Sequence, residues 1–222
     1  MAGLKNGPMI AKISGNSFCY AIFSGGNSSR MGYDKSLLSI NGQTVIQRIV
    51  GDIQNPQLVD GNTFIASNAK KYTQLKDDSL IYIEDYLDQN QGPLSALAAV
   101  FAWLKNRPQT DIKWVLTFPC DTLLLPSETI DLLKQAMIEM PSSKIIYLRG
   151  ERDHPLHGAY HIDVADNLFN YLNRGQRSVM GFIQGSAYHP VTTPKPWDDY
   201  FNFNTKPEFQ HACDIFQGKI VE

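Results

Sequence analysis

The chain has 222 residues, 43% of them hydrophobic, which is enough for one sizeable core. A formal net charge of -2 excludes the broad basic surface of a nucleic-acid binder or of a protein drawn to acidic membranes, so any phosphate binding must be local. Cys19, Cys120 and Cys213 are odd in number and form no C-x-x-C pair, which excludes a disulfide framework or cysteine zinc site and fits reduced thiols in a cytoplasmic protein.

Residues 1–17 carry Gly3, Gly7, Pro8 and Gly15 without sustained periodicity and read as a loose leader, with no hydrophobic signal core and no cleaved signal expected. The remainder, 18–222, reads as a single domain. It opens at 18–23 with the continuous apolar run FCYAIF, suited to a strand covered on both faces. Similar runs at 63–66, 80–83, 113–118 and 144–148 predict further strands, mostly separated by helical segments. The clearest helix spans 93–106, where Leu94, Leu97, Ala98, Phe101 and Leu104 form one stripe behind Pro93. A second spans about 127–140, with Ile130, Leu133, Ala136 and Met137 inward. Residues 190–199 read as a Pro-rich loop. This alternation predicts a three-layer α/β fold: a mostly parallel sheet with helices on both faces and ligands at the carboxyl ends of the strands.

The chemistry-bearing motifs lie at those ends. Directly after the first strand comes Ser24-Gly25-Gly26-Asn27-Ser28-Ser29-Arg30-Met31-Gly32-Tyr33-Asp34-Lys35. Paired glycines let backbone N–H groups approach an anion, and Arg30 and Lys35 can neutralise a triphosphate or follow charge onto leaving pyrophosphate. A Walker A loop is excluded, because Tyr33 and Asp34 intervene between Gly32 and Lys35, and there is no G-x-G-x-x-G. An isolated Gly-Gly would be a solvated turn; the full pattern from Ser24 to Lys35 favours phosphate.

Asp121 follows a strand through Pro119-Cys120 and could hold Mg2+, which typically takes one or two carboxylates plus phosphate oxygens. As a plain structural residue it would cap a helix or turn. Glu84-Asp85 and Gln91-Gly92-Pro93-Leu94 could wall a nucleotide base or ribose, although Asp85 alone is an ordinary turn residue. His154, His157 and His161 fit a metal poorly: on a strand His157 and His161 share a face while His154 opposes them, and Pro155 and Gly158 argue against a helix. After Gly175-Gln176, Arg177 could hold a second phosphate. In Phe201-Asn202-Phe203-Asn204-Thr205, a period of two sets both amides on one face and both rings toward the core. Thr205 and Glu208 also form a capping-box pattern, so Asn204 could belong simply to the turn before a helix.

Phe23-Ser24-Gly25-Gly26 with Arg30-Met31-Gly32 and Asp34-Lys35 resembles the signature loop of Rossmann-like nucleotidyltransferases. With Glu84-Asp85, Gly92-Pro93-Leu94, Pro119-Cys120-Asp121-Thr122, the stretch 150–155 and Asn202-x-Asn204-Thr205, the chain is similar to the molybdenum cofactor guanylyltransferases from about Phe18 to its end. The resemblance implies transfer of GMP from GTP to the phosphate of molybdenum-molybdopterin. It implies that Phe23, Ser24, Gly25, Gly26 and Lys35 hold GTP, Asn68, Asp85 and Gly92 meet its nucleoside, Asp121 binds Mg2+, and Arg177, Asn202 and Asn204 face the pterin. Arg30, Lys35 and Asp121 would be the catalytic set. Other cofactor-biosynthesis proteins or chaperones of apo-molybdoenzymes are its implied partners, with no nucleic acid and no membrane. Two positions depart from the family pattern: Ser24 stands where Ala is usual, and Ser178 where a second Arg is common, removing a phosphate contact. The same loop and Asp121 would serve a cytidylyl- or sugar-phosphate nucleotidyltransferase. From another class, a module could bind nucleotide without transferring it.

Overall fold

The computed structural model describes residues 17–24, 34–55, 61–68, 70–87, 91–107 and 110–218. The leader up to 16 and the loop residues Gly25, Gly26 and Arg30 lie outside the described residues.

Strand β1, Phe18–Phe23, is buried throughout, and its alternate side chains feed two cores: Phe18, Tyr20 and Ile22 on one face, Cys19, Ala21 and Phe23 on the other. A small antiparallel hairpin, β2 (Ser39–Ile40) and β3 (Gln43–Thr44), turns through Asn41 and Gly42, both at positive φ. It leads into α1, Val45–Ile53, started by a capping box between Thr44 and Gln47. Then follow β4 (Thr63–Ala66), β5 (Ile81–Ile83), α2 (Pro93–Lys105), β6 (Trp114–Pro119), α3 (Pro126–Glu139), β7 (Ile145–Arg149), β8 (Asp153–His161), α4 (Ala165–Asn173), α5 (Val179–Gln184), β9 (Tyr188–Thr192) and α6 (Lys206–Phe216).

The main sheet has seven strands in the order β5-β4-β1-β6-β8-β7-β9. All pairs are parallel except those of β8, which runs antiparallel to both β6 and β7. Helices α1, α3 and α6 cover one face and α2, α4 and α5 the other, giving the expected three layers. Chain order reverses at β1, which has β4 on one side and β6 on the other; the crevice outside such a reversal is where open α/β sheets bind ligands. Among the described residues no helix is long and apolar enough to cross a membrane.

Two expectations need correction. The segment 190–199 is not simply a loop: Tyr188–Thr192 is β9, parallel to β7, and Lys195–Tyr200 is a 3-10 helix. Pro190 is tolerated because β9 is an edge strand with one side free of ladder bonds. In β8 the pairing jumps from Tyr147↔Gly158 to Leu148↔His154, a bulge that breaks the odd-even alternation. His154 therefore shares a face with His157 instead of opposing it, and both rings meet Phe201. His161 lies elsewhere, edge-on to Trp114.

Candidate active site

Strand register sets the site out. Phe23 is level with Ala66 and Pro119, and Ala66 with Ile83, so Ser24, Asn68, Asp85 and Asp121 all leave the same rim of the sheet. From β5 to β6 is three strand spacings, about 14 Å. That is room for an extended nucleoside triphosphate lying across the strand ends.

At the β1 end the two flanks of the glycine-rich loop are tied together. The buried Tyr72 hydroxyl lies 3.3 Å from the Ser24 carbonyl and 3.2 Å from Asp34 Oδ2, and accepts from Ser36 Oγ at 2.8 Å. Burial would push the Asp34 carboxyl up, but bonds from Lys70 and Ser36 hold it below the usual carboxylate range. Asp34 also caps the 3-10 turn Lys35–Leu37, which aims Lys35 across the rim. Ser24 fits without strain, its hydroxyl reaching the Ala66 carbonyl at 3.2 Å. Nothing in the sequence singled out Tyr72, which lies in an irregular stretch after Lys70 and Lys71.

At the β6 end the chain doubles back on itself. Phe203 N donates to the Asp121 carbonyl at 3.0 Å, and Leu123 N and Thr122 Oγ1 both donate to the Tyr200 carbonyl at 3.0 Å. These bonds lay 200–204 along the end of the sheet. Phe201 and Phe203 are buried while Asn202 and Asn204 are exposed, as the alternation predicts. Lys35 Nζ donates to Asn204 Oδ1 at 2.8 Å and stands 3.7 Å from Asp121 Oδ2. Burial pushes the Asp121 carboxyl up, and Lys35 offsets part of that. The side chain is 25% exposed, whereas Oδ1 is buried with no hydrogen-bond partner among the described residues. A buried carboxylate oxygen with no donor is costly unless something else meets it.

At the β5 end, Ser95 of α2 holds the loop that carries Asp85: Leu87 N donates to Ser95 Oγ at 2.8 Å and Tyr86 N to the Ser95 carbonyl at 3.2 Å. Burial lifts the Asp85 carboxyl to about 6. Gly92 precedes Pro93 with φ 91 and ψ 177, a backbone region open essentially to glycine alone, and no side chain caps α2 there. Arg177 donates to Gln91 Oε1 at 3.0 Å and to the Leu172 carbonyl at 2.8 Å. The structure thus sets Arg177 beside the turn that carries Gly92, while Asn202 and Asn204 stand with Lys35 and Asp121. Next to the two asparagines opens a cavity of about 840 Å³, with Arg152, His154 and Lys195 also in its lining.

Ser178 has a structural use: it caps α5, accepting from Gly181 N at 3.1 Å. Ser178→Ala is expected to lower unfolding stability by about 1 kcal/mol, read from denaturant midpoints, and to leave turnover unchanged. A tenfold loss of turnover would place Ser178 in the site instead. Cys19, Cys120 and Cys213 are buried and outside any disulfide, and burial raises Cys120 well above its ordinary pKa, which suits packing and not nucleophilic attack.

Residues 20–191 match the model of the MobA-like NTP transferase domain. The chain is 30% identical to the molybdenum cofactor guanylyltransferase of Yersinia pestis (strain Pestoides F) over 204 residues, 89% of this chain and 94% of that protein. Its fold is similar to that of molybdopterin-guanine dinucleotide biosynthesis protein A from Archaeoglobus fulgidus, with TM-score 0.68 and 18% identity over 90% of this chain and 99% of that one. It is equally similar to 4-diphosphocytidyl-2C-methyl-D-erythritol synthase from Anaerococcus prevotii, with TM-score 0.68 and 11% identity over 91% and 97%.

Proposed function

The chain belongs to the MobA-like NTP transferase family and is a nucleotidyltransferase, and from that premise we propose that it transfers GMP from GTP to the phosphate of molybdenum-molybdopterin. The products are pyrophosphate and the molybdopterin guanine dinucleotide cofactor. The Yersinia pestis relative supports guanine as the base, and Asp121, whose Oδ1 is unmet among the described residues, beside Lys35 is the observation that supports transfer at this rim.

Asp121 also fits a divalent cation. Its orphaned, buried oxygen is a hard anionic ligand, and among the described residues no group of three or more His, Cys, Asp or Glu could form a metal cage. One carboxylate completed by substrate phosphate oxygens is the usual pattern for Mg2+. When bound, Mg2+ neutralises charge on those oxygens.

The protein's own groups position the reactants. Phe23, Ser24, Gly25 and Gly26 hold GTP, with Arg30 and Lys35 as counter-charges. Asn68, Asp85 and Gly92 meet the nucleoside and Asn202 and Asn204 the pterin side, while Arg177, bonded to Gln91 beside Gly92, stands nearer the nucleoside than its expected place on the pterin side. The acceptor phosphate oxygen bonds to the α-phosphorus as the bond to the β-phosphate oxygen breaks in line, and pyrophosphate carries the electron pair away. The attacking phosphate is already ionised, so neither a covalent nucleophile nor a general base is needed; orientation and cationic clamping supply the rate.

The test is pyrophosphate release by the purified protein with Mg2+ and molybdenum cofactor, comparing GTP, CTP and ATP. Acceptor-dependent release with GTP alone is expected. Release with CTP alone would keep the transfer and change the base, and silence with all three would overturn molybdenum-molybdopterin as the acceptor and favour a different acceptor or a module that binds nucleotide without transfer.

Asp85 adds a pH dependence. As an ionised acceptor of nucleoside N–H or O–H donors it is lost when pH falls through about 6, so the KM for GTP should rise below that point. Because folding raises this pKa above the ordinary 3.8, the same carboxyl lowers the stability of the ligand-free protein as pH climbs from 3.8 toward 6. In Asp85→Asn the inflection in KM should vanish; its persistence would remove Asp85 from the nucleoside contact.

A further inference from the structure

Asn202 holds a left-handed backbone, φ 54, which costs a non-glycine residue free energy and persists only where surrounding contacts enforce it. Several contacts do so. Phe201 and Phe203 on either side are buried, Phe203 N is bonded to the Asp121 carbonyl, and Asn202 Nδ2 lies 2.8 Å from His154 Nδ1. The His154 ring also stacks on Phe201 at 3.7 Å between centroids with a 12° tilt, so one side chain grips two consecutive residues.

The grip is passed on. The Asn202 carbonyl accepts from Asn204 Nδ2 at 2.8 Å, which settles the orientation of that amide and turns Oδ1 toward Lys35, whose Nζ donates to it at 2.8 Å. The Lys35 ammonium, 169 residues away in the chain, is thereby kept within 3.7 Å of Asp121 Oδ2. We propose that His154 is a positioning residue for nucleotidyl transfer, acting through Asn202 and Asn204 to hold the Lys35 ammonium beside Asp121. The proposal rests on the reading of Lys35 and Asp121 as the pair that handles phosphate.

For Asn202 Nδ2 to donate, His154 Nδ1 must be an acceptor, with the ring neutral and its proton on Nε2. Burial favours that neutral ring and outweighs Asp198 and Asp153, which favour the charged form, while Arg152 on the adjoining turn also opposes charging. Behind Phe201, His157 is fully buried and burial pulls its pKa down to about 3, so it meets the Phe201 edge as an uncharged ring.

Two substitutions separate the hydrogen bond from the packing. His154→Phe keeps a flat ring on Phe201 and removes the acceptor, whereas His154→Asn gives up the ring and places an amide oxygen where Nδ1 stood. In the GTP pyrophosphate-release assay, His154→Phe should lose about tenfold or more in kcat with KM for GTP within about twofold, a split that lost ground-state binding would not produce. His154→Asn should recover most of that kcat. In ¹⁵N spectra the side-chain amide signals of Asn202 and Asn204 should move in His154→Phe and stay near wild-type positions in His154→Asn. Wild-type kcat in His154→Phe, or kcat losses in both variants that simply follow their melting temperatures, would overturn the proposal. The amide spectra decide it even if the wild-type protein fails to transfer GMP: unmoved Asn204 signals in His154→Phe sink the positioning role, whereas absent transfer sinks only the assigned reaction.

Discussion

Asp121→Asn is expected to reduce nucleotidyl transfer by about 10³-fold or more while leaving the melting temperature of the ligand-free protein unchanged or raised. The two halves of that result have one cause. Among the described residues Asp121 Oδ1 is buried without a donor, and burial raises the carboxyl pKa even with Lys35 nearby. A carboxyl whose folded pKa exceeds its unfolded value contributes stability at low pH that is lost as pH rises through the unfolded and then the folded pKa. At neutral pH the ionised group is therefore a liability to the empty protein. An amide of the same shape relieves it, and Lys35 keeps its bond to Asn204.

What Asn cannot supply is the anionic oxygen for a cation and its phosphates. Thermal melts with GTP and Mg2+ should accordingly show stabilisation that depends on the cation in the wild type and not in the variant, because only a ligand that binds the folded state raises its apparent stability. Transfer at near-wild-type rate by Asp121→Asn would end the metal assignment. A large fall in melting temperature without ligand would mean that the carboxylate serves the fold, through a partner other than those described.

The pattern of strands was plain in the sequence because it is local. FCYAIF at Phe18–Phe23 and TFIA at Thr63–Ala66 have the predicted bounds, since strands buried on both faces need unbroken apolar runs. The capping box at Thr205 and Glu208 likewise appears at the start of α6. β9 was hidden because Pro190 marks a loop wherever both sides of a strand must be paired, and only the sheet order reveals that this strand lies at an edge. The face of His154 was misread for a related reason: alternation holds only while the register does, and the bulge in β8 breaks it.

The site was legible as residue types and not as an arrangement. Asp121, Lys35, Asn202 and Asn204 can be picked out by chemistry, but their meeting depends on bonds such as Thr122 to Tyr200, 78 residues apart, that no periodicity encodes. Tyr72 has the same history. It joins Ser24 to Asp34 across the ends of the glycine-rich loop through a hydroxyl that a sequence pattern gives no reason to notice.

Lys35→Ala should lower kcat/KM for GTP by about 10² to 10³-fold, the loss typical of removing one preorganised charge-stabilising donor from a transfer site. Stability of the ligand-free protein at neutral pH should fall only modestly, because Lys35 offsets part of the burial cost of the ionised Asp121. The Lys35–Asp121 pair is separated by 3.7 Å with side chains 21% and 25% exposed, and pairs open to solvent contribute about 0–1 kcal/mol. Lys35→Arg is not expected to restore the rate, because a planar guanidinium cannot take the single-point position of an ammonium between Asn204 Oδ1 and Asp121 Oδ2. The division of the loss reports the role: a rise in KM alone means that Lys35 only holds GTP, whereas a fall in kcat means that it follows charge onto departing pyrophosphate. A second signature follows from the electrostatics. Lys35 lowers the Asp121 pKa against the larger effect of burial, so without the ammonium Asp121 ionises only at higher pH. The acid limb of the residual rate in Lys35→Ala should therefore move to higher pH than in the wild type. If the rate and its pH profile are both unchanged, Lys35 is only a neighbour of Asp121 and the phosphates are held by other residues.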